Sequence, residues 1–125
     1  DLGFYNTSKI IVQVLLNASH THRYSGCKLF RGSTQIALGD ATGSVSRVFM
    51  SIDSNQDEAT QAYIMRTMSG HFVDSPSTTS ATTYKLQVGA EASAGDVYVN
   101  RPANNYTGST FYRGVSNLVV MEIGA

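Results

Sequence analysis

The chain has 125 residues, enough for one domain with a core of its own. Nine basic residues balance nine acidic ones, so nothing supplies the basic surface of a nucleic-acid binder or a polybasic membrane patch. Charged residues make up only 14%, against about 25% in an ordinary soluble domain; Ser, Thr, Asn and Gly take their place, giving the polar, weakly charged surface common in extracellular β-proteins.

The sequence begins at Asp1 rather than at a methionine, which leads us to expect a processed protein or the C-terminal part of a longer one. The first strand signal is "KIIVQVLLN". Ile10, Val12, Val14 and Leu16 share one face and Ile11, Gln13 and Leu15 the other, so a strand buried on both faces is expected. This is also the longest apolar run, and it falls well short of the ~20 residues of a membrane span. "HTH" follows, with His20 and His22 two residues apart. On a strand both imidazoles would project to one side, as in some metal sites, but a third ligand is lacking; two exposed loop histidines are the plainer reading. Cys27 is the single cysteine, so no internal disulfide exists, and its strand-like setting "GCKLF" reads as a small buried hydrophobe.

"GCKLFRGSTQIALGD" has a hairpin signature, two apolar runs around "RGST" with Gly32 free to take a positive φ. "GDATGS" supplies another turn and "SRVFMSID" another strand. The only helix candidate, "NQDEATQAYIMRTM", segregates its apolar residues poorly; Gln61 to Met68 is read as a strand after an acidic loop, and "HFVD" as a further strand. "TYKLQVGAE", "DVYVN" and "SNLVVMEI" follow. Eight or more short strands at spacings near ten residues predict an all-β, antiparallel β-sandwich or barrel, without linker or repeat. In the last strand Val119, Met121 and Ile123 oppose Leu118, Val120 and Glu122. Such a strand is central or has one face covered by another subunit. Glu122 then needs a partner, for which Arg113, Arg101, Arg31 and Arg47 are available, unless it lies at a wet strand end.

Sites for catalysis are scarce. There is no G-x-S-x-G elbow, no H-E-x-x-H and no phosphate-cradling glycine loop, so a non-enzymatic protein without a cofactor or metal is expected. "DSNQDE" lacks the spacing of a calcium loop, and Asp57 and Glu58, adjacent on extended chain, point to opposite sides, which is wrong for cutting a glycan. Three sequons start at Asn6, Asn17 and Asn105. The loop "RPANNYTGSTFYRGVS" combines Tyr with Asn, Ser and Gly, a recognition composition able to stack on sugars and adapt its hydrogen bonds. Asn104, Asn105, Tyr106, Tyr112 and Arg113 are its candidate ligand contacts, the alternative being loop packing or a subunit contact.

Four segments in order, "LFRGSTQIALGDATGSVSR", "VDSPSTTSATTYKLQ", "GDVYVNRP" and "YRGVSNLVVMEI", resemble a domain of virion structural and tail-fibre proteins of tailed phages, especially those infecting cyanobacteria and other aquatic bacteria. The resemblance spans roughly residues 9 to 123. It implies a jelly-roll of the tumour-necrosis-factor-like type, homotrimeric, serving as a fibre head or a capsid-surface protrusion. Its expected partners are copies of itself, other virion proteins and a host-surface glycan or protein, and its location is the virion surface. Under it "SPSTTSATTYKLQ" leads into a core strand with Tyr84, Leu86 and Val88 inward, and "GDVYVNRP" is that strand's hairpin partner. Tyr63, Met65, Leu118, Val120 and Glu122 become candidate subunit contacts. A capsid-decorating protein of the same fold, and a secreted carbohydrate-binding module, are the alternative readings.

Overall fold

Alternating β-branched and polar residues from Lys9 onward form strands throughout the computed structural model, which describes residues 7–21, 24–53, 63–90 and 95–124. Among these residues there is no helix. The strands are β1 (Lys9–His20), β2 (Tyr24–Arg31), β3 (Thr34–Ile36), β4 (Met50–Asp53), β5 (Arg66–Asp74), β6 (Tyr84–Ala90), β7 (Val97–Val99) and β8 (Asn117–Ile123).

They form two antiparallel sheets, each built around one long central strand. In the first, β1 pairs with β5 along one edge; its other edge is shared by β8, opposite Lys9 to Leu15, and β7, opposite Ala18 to His20. In the second, β2 pairs with β6 on one side and with β3 and β4 on the other. The β2–β3 hairpin turns at Gly32, whose φ of 58° is the left-handed value a glycine adopts without strain.

Side chains alternate across each strand, so the register fixes what meets inside. Val12, Val14, Leu16 and Ala18 of β1 and Met68 of β5 face Cys27, Leu29 and Ile36 of the second sheet, and these residues form one buried cluster. Two inner faces enclosing one core is the arrangement of a β-sandwich. Phe49 and Phe72 meet edge-on across the sheets at 6.5 Å. Gly70 lies beside them on β5, where an added Cβ would stand 2.8 Å from the Met50 sulfur. The Met50 side chain occupies the space that a side chain at this position would take. Cys27 is fully buried, and burial pushes its thiol up from the usual range, so it serves as a small core residue.

Five expectations are revised. First, β1 is not buried along the whole of its outer face: Gln13 is exposed and Leu15 is 36% exposed, because no described residue covers that stretch. Second, the strand expected at Gln61 to Met68 starts at Arg66 and runs unbroken through "HFVD", since nine consecutive residues find partners on the long β1. Gln61 lies outside the described residues, as do Asp57, Glu58 and His22. Third, β6 and β7 are not a hairpin; each pairs with the central strand of a different sheet, and Val88 is 39% exposed. Fourth, β8 is not central: among the described residues it pairs with β1 alone, and all seven of its residues are exposed in the single chain. Fifth, His20 is not a solvent-exposed loop residue but the last residue of β1, and it is buried.

Candidate functional site

The core is closed at one end by a polar group that the sequence did not advertise. Asp74 ends β5 on the inner face of the first sheet, while Arg31 and Tyr84 are directly paired on the inner face of the second. The Arg31 guanidinium donates to both Asp74 oxygens at 2.6 and 2.8 Å, and the Tyr84 hydroxyl donates to the same carboxylate at 2.7 Å. The Asp74 side chain is 7% exposed. Burial, then the hydrogen bond to Asp74 and its negative charge, push the Tyr84 phenol well above its ordinary range. Every group here is satisfied internally, so this is a lock between sheets rather than a reactive site.

The tyrosine loop is fastened to the other end of the first sheet. Asn17, on the outer face of β1, donates its side-chain amide to the Val115 carbonyl, and its backbone N–H to the Ser116 hydroxyl. Its carbonyl accepts from the Asn100 N–H, and the Asn100 carbonyl accepts from the Gly114 N–H. An added Cβ on Gly114 would stand 3.0 Å from the Asn17 Cβ and 3.1 Å from the Met65 terminal methyl, so only glycine lets the loop lie this close. These bonds use up Asn17, and Ser19 is fully buried, so the sequon starting at Asn17 is part of the scaffold; the one at Asn105 is exposed. Asn6 lies outside the described residues.

Within the loop the sequence-chosen residues come together. Tyr63 and Tyr106 stack in parallel at 5.7 Å, and Phe111 packs on Tyr106 at 4.9 Å. A hydrogen bond with Tyr63 holds the Tyr106 phenol above its usual range. Arg113 donates to the Asn105 side-chain oxygen and to the Tyr106 and Tyr112 carbonyls, bracing the loop from within. Asn104 is half-buried, whereas Tyr112 is 72% exposed. Tyr63, expected at a subunit contact, and Tyr106, expected at a ligand, therefore belong to one cluster. Phe111 completes it and went unremarked in the sequence, though its spacing from Tyr106 within a glycine-containing loop was a usable signal.

The other candidate contacts lie on β8. Leu118 and Val120 project with Val14 and Val12, yet are 37% and 43% exposed because the second sheet does not reach over them. Val119, Met121 and Ile123 project to the outer side, 40%, 43% and 50% exposed, beside Ile11, Leu15 and the 52%-exposed Val73. Glu122 is exposed and makes no ion pair among the described residues. The arginines considered for it are engaged elsewhere. Arg31 holds Asp74, Arg47 donates to the Gly39 carbonyl, Arg101 stacks 4.3 Å over Tyr98, and Arg113 braces its loop. Comparison with known proteins adds no further constraint: no family model, curated protein or solved structure matches this chain.

Proposed function

We propose that the chain is a non-enzymatic virion structural protein, the trimeric, tumour-necrosis-factor-like jelly-roll head of a phage tail fibre or spike that binds the bacterial surface. One observation carries the reading: β8 is an edge strand, apolar on both faces and exposed on both. An apolar strand edge in water is a template for association, and monomers rarely leave a contiguous apolar patch of more than a few hundred Å² uncovered. Pairing of the first strand with the last, and placement of β1 and β2 in opposite sheets, support the jelly-roll reading. The resemblance of four sequence segments to phage fibre proteins supports the virion role and the threefold symmetry.

Light scattering at micromolar concentration, repeated after about tenfold dilution, tests it. The expected mass is three times the 13.5 kDa of one chain. Val119→Lys with Met121→Lys, which places two charges on the outer face of β8, should weaken association by about 30-fold or more. A parent protein that remains monomeric would overturn the trimer.

A further inference from the structure

The outer face of the second sheet carries an unassigned groove of about 830 Å³, within the roughly 300–1,000 Å³ of small-ligand sites. We infer that it binds a saccharide bearing a carboxylate or sulfate. Its floor includes the backbone of Gly89, directly paired across β6 and β2 with Gly26. Gly26 has an internal reason to lack a side chain, since an added Cβ would meet the Met50 carbonyl at 3.2 Å and Val48 at 3.3 Å. Gly89 has none, because its added Cβ would meet nothing within 4 Å. Glycine weakens a strand, and among the reasons a strand keeps one is the close approach of a ligand to its backbone.

The groove's walls supply the chemistry. Tyr24, 48% exposed, offers a flat apolar surface at one end. Lys28 and Gln87, directly paired, stand at the other; Ser46 and Ser51 add hydroxyls to the lining, and Val45, Val48 and Val88 add apolar surface. Lys28 has no ion-pair or hydrogen-bond partner among the described residues, and no acidic side chain lines the groove among them. A ring stacked on Tyr24, resting on the glycine floor with its hydroxyls toward Gln87 and the serines, would place an acidic substituent at the Lys28 ammonium. This groove faces away from the β8 edge, so the inference stands apart from the trimer reading.

The test is an NMR titration of the whole chain with a uronic-acid oligosaccharide and with a neutral oligosaccharide of equal length, at low salt. Light scattering on the same samples keeps any change of assembly separate. The acidic sugar should give saturable shifts at Tyr24, Gly26, Lys28 and Gly89. Lys28→Gln should weaken binding by about tenfold. Gly89→Val, a substitution that favours the strand, should abolish it by filling the floor. Absence of saturable shifts, shifts confined to residues 103–113, equal affinity for the neutral sugar, or unchanged binding by Gly89→Val would each overturn the inference.

Discussion

Replacing Arg31 by Met isolates the contribution of the lock between the sheets. The substitution keeps the apolar stem and removes the two bonds to Asp74, leaving a carboxylate whose side chain is 7% exposed with Tyr84 alone. Breaking a fully buried pair costs about 3–5 kcal/mol, and an exposed pair is worth about 0.2–1 kcal/mol. The Arg31 side chain is 27% exposed, so water reaches part of the vacated site and the expected cost is about 2–3 kcal/mol. Scaling the per-residue unfolding entropy to a chain of this size, each kcal/mol lowers Tm by about 4 °C, so the variant should melt about 10 °C lower. Urea unfolding and thermal melts at matched protein concentration measure both quantities. The triple variant Arg31→Met, Asp74→Leu, Tyr84→Phe should recover at least about 1 kcal/mol of the loss, because apolar replacement removes the stranded charge. If Arg31→Met lies within about 0.5 kcal/mol of the parent, Asp74 is effectively hydrated and the lock carries no stability.

Two further outcomes follow from the same geometry. Tyr84 titrates higher in the folded chain than its unfolded value of about 10. Its neutral form therefore stabilises fully below about pH 10, and that stability is lost as pH rises above this value; Tyr84→Phe should flatten this part of the alkaline limb in urea titrations, and an unchanged limb would refute the assignment. Gly114→Ala should cost about 1–2 kcal/mol by pressing on the Asn17 Cβ, a strand atom that cannot yield. Faster hydrogen exchange at the Asn17 and Asn100 amides is the expected signature, and unaltered exchange would place the loop's attachment elsewhere.

Strand identity was legible because alternation is local: "KIIVQVLLN", "GCKLFRGSTQI" and "SNLVVMEI" each announce a strand, and the second its turn. Pairing was not, because it depends on which distant strand arrives. "TYKLQV" and "DVYVN" are separated by the length of an ordinary hairpin loop, yet β6 goes to β2 and β7 to β1. Composition also misled on the outer face of β1, where Leu15 read as buried but is left 36% exposed by the described residues. Asp74, Arg31 and Tyr84 are spread over 54 positions, and only the register brings them together. The loop's aromatic and Asn content is visible without topology; the stacking of Tyr106 and Phe111 with Tyr63 is not, because Tyr63 arrives from another part of the chain.

The two sheets divide the molecule's outer surface into faces of different chemistry, which bears on where a ligand would sit. The first sheet presents Ile11, Leu15, Val73, Val119 and Met121, and the tyrosine loop is tied to that face through Asn17. The loop's Tyr106 and Phe111 stack with Tyr63, and Arg113 is committed to loop carbonyls and Asn105, leaving Tyr112 as the loop's most exposed ring. The outer face of the first sheet also carries the exposed polar side chains of Gln13, Ser69 and His71. What suits contact between subunits is therefore its apolar edge, where Val119, Met121 and Ile123 of β8 lie beside Ile11 and Val73. The groove on the second sheet offers an ammonium and hydroxyls that have no partner among the described residues, beside the open backbone of Gly89. If copies associate through the first sheet, the second faces outward on every subunit. Three grooves on one head would then engage a repetitive polymer together, and weak binding at each would suffice for firm attachment.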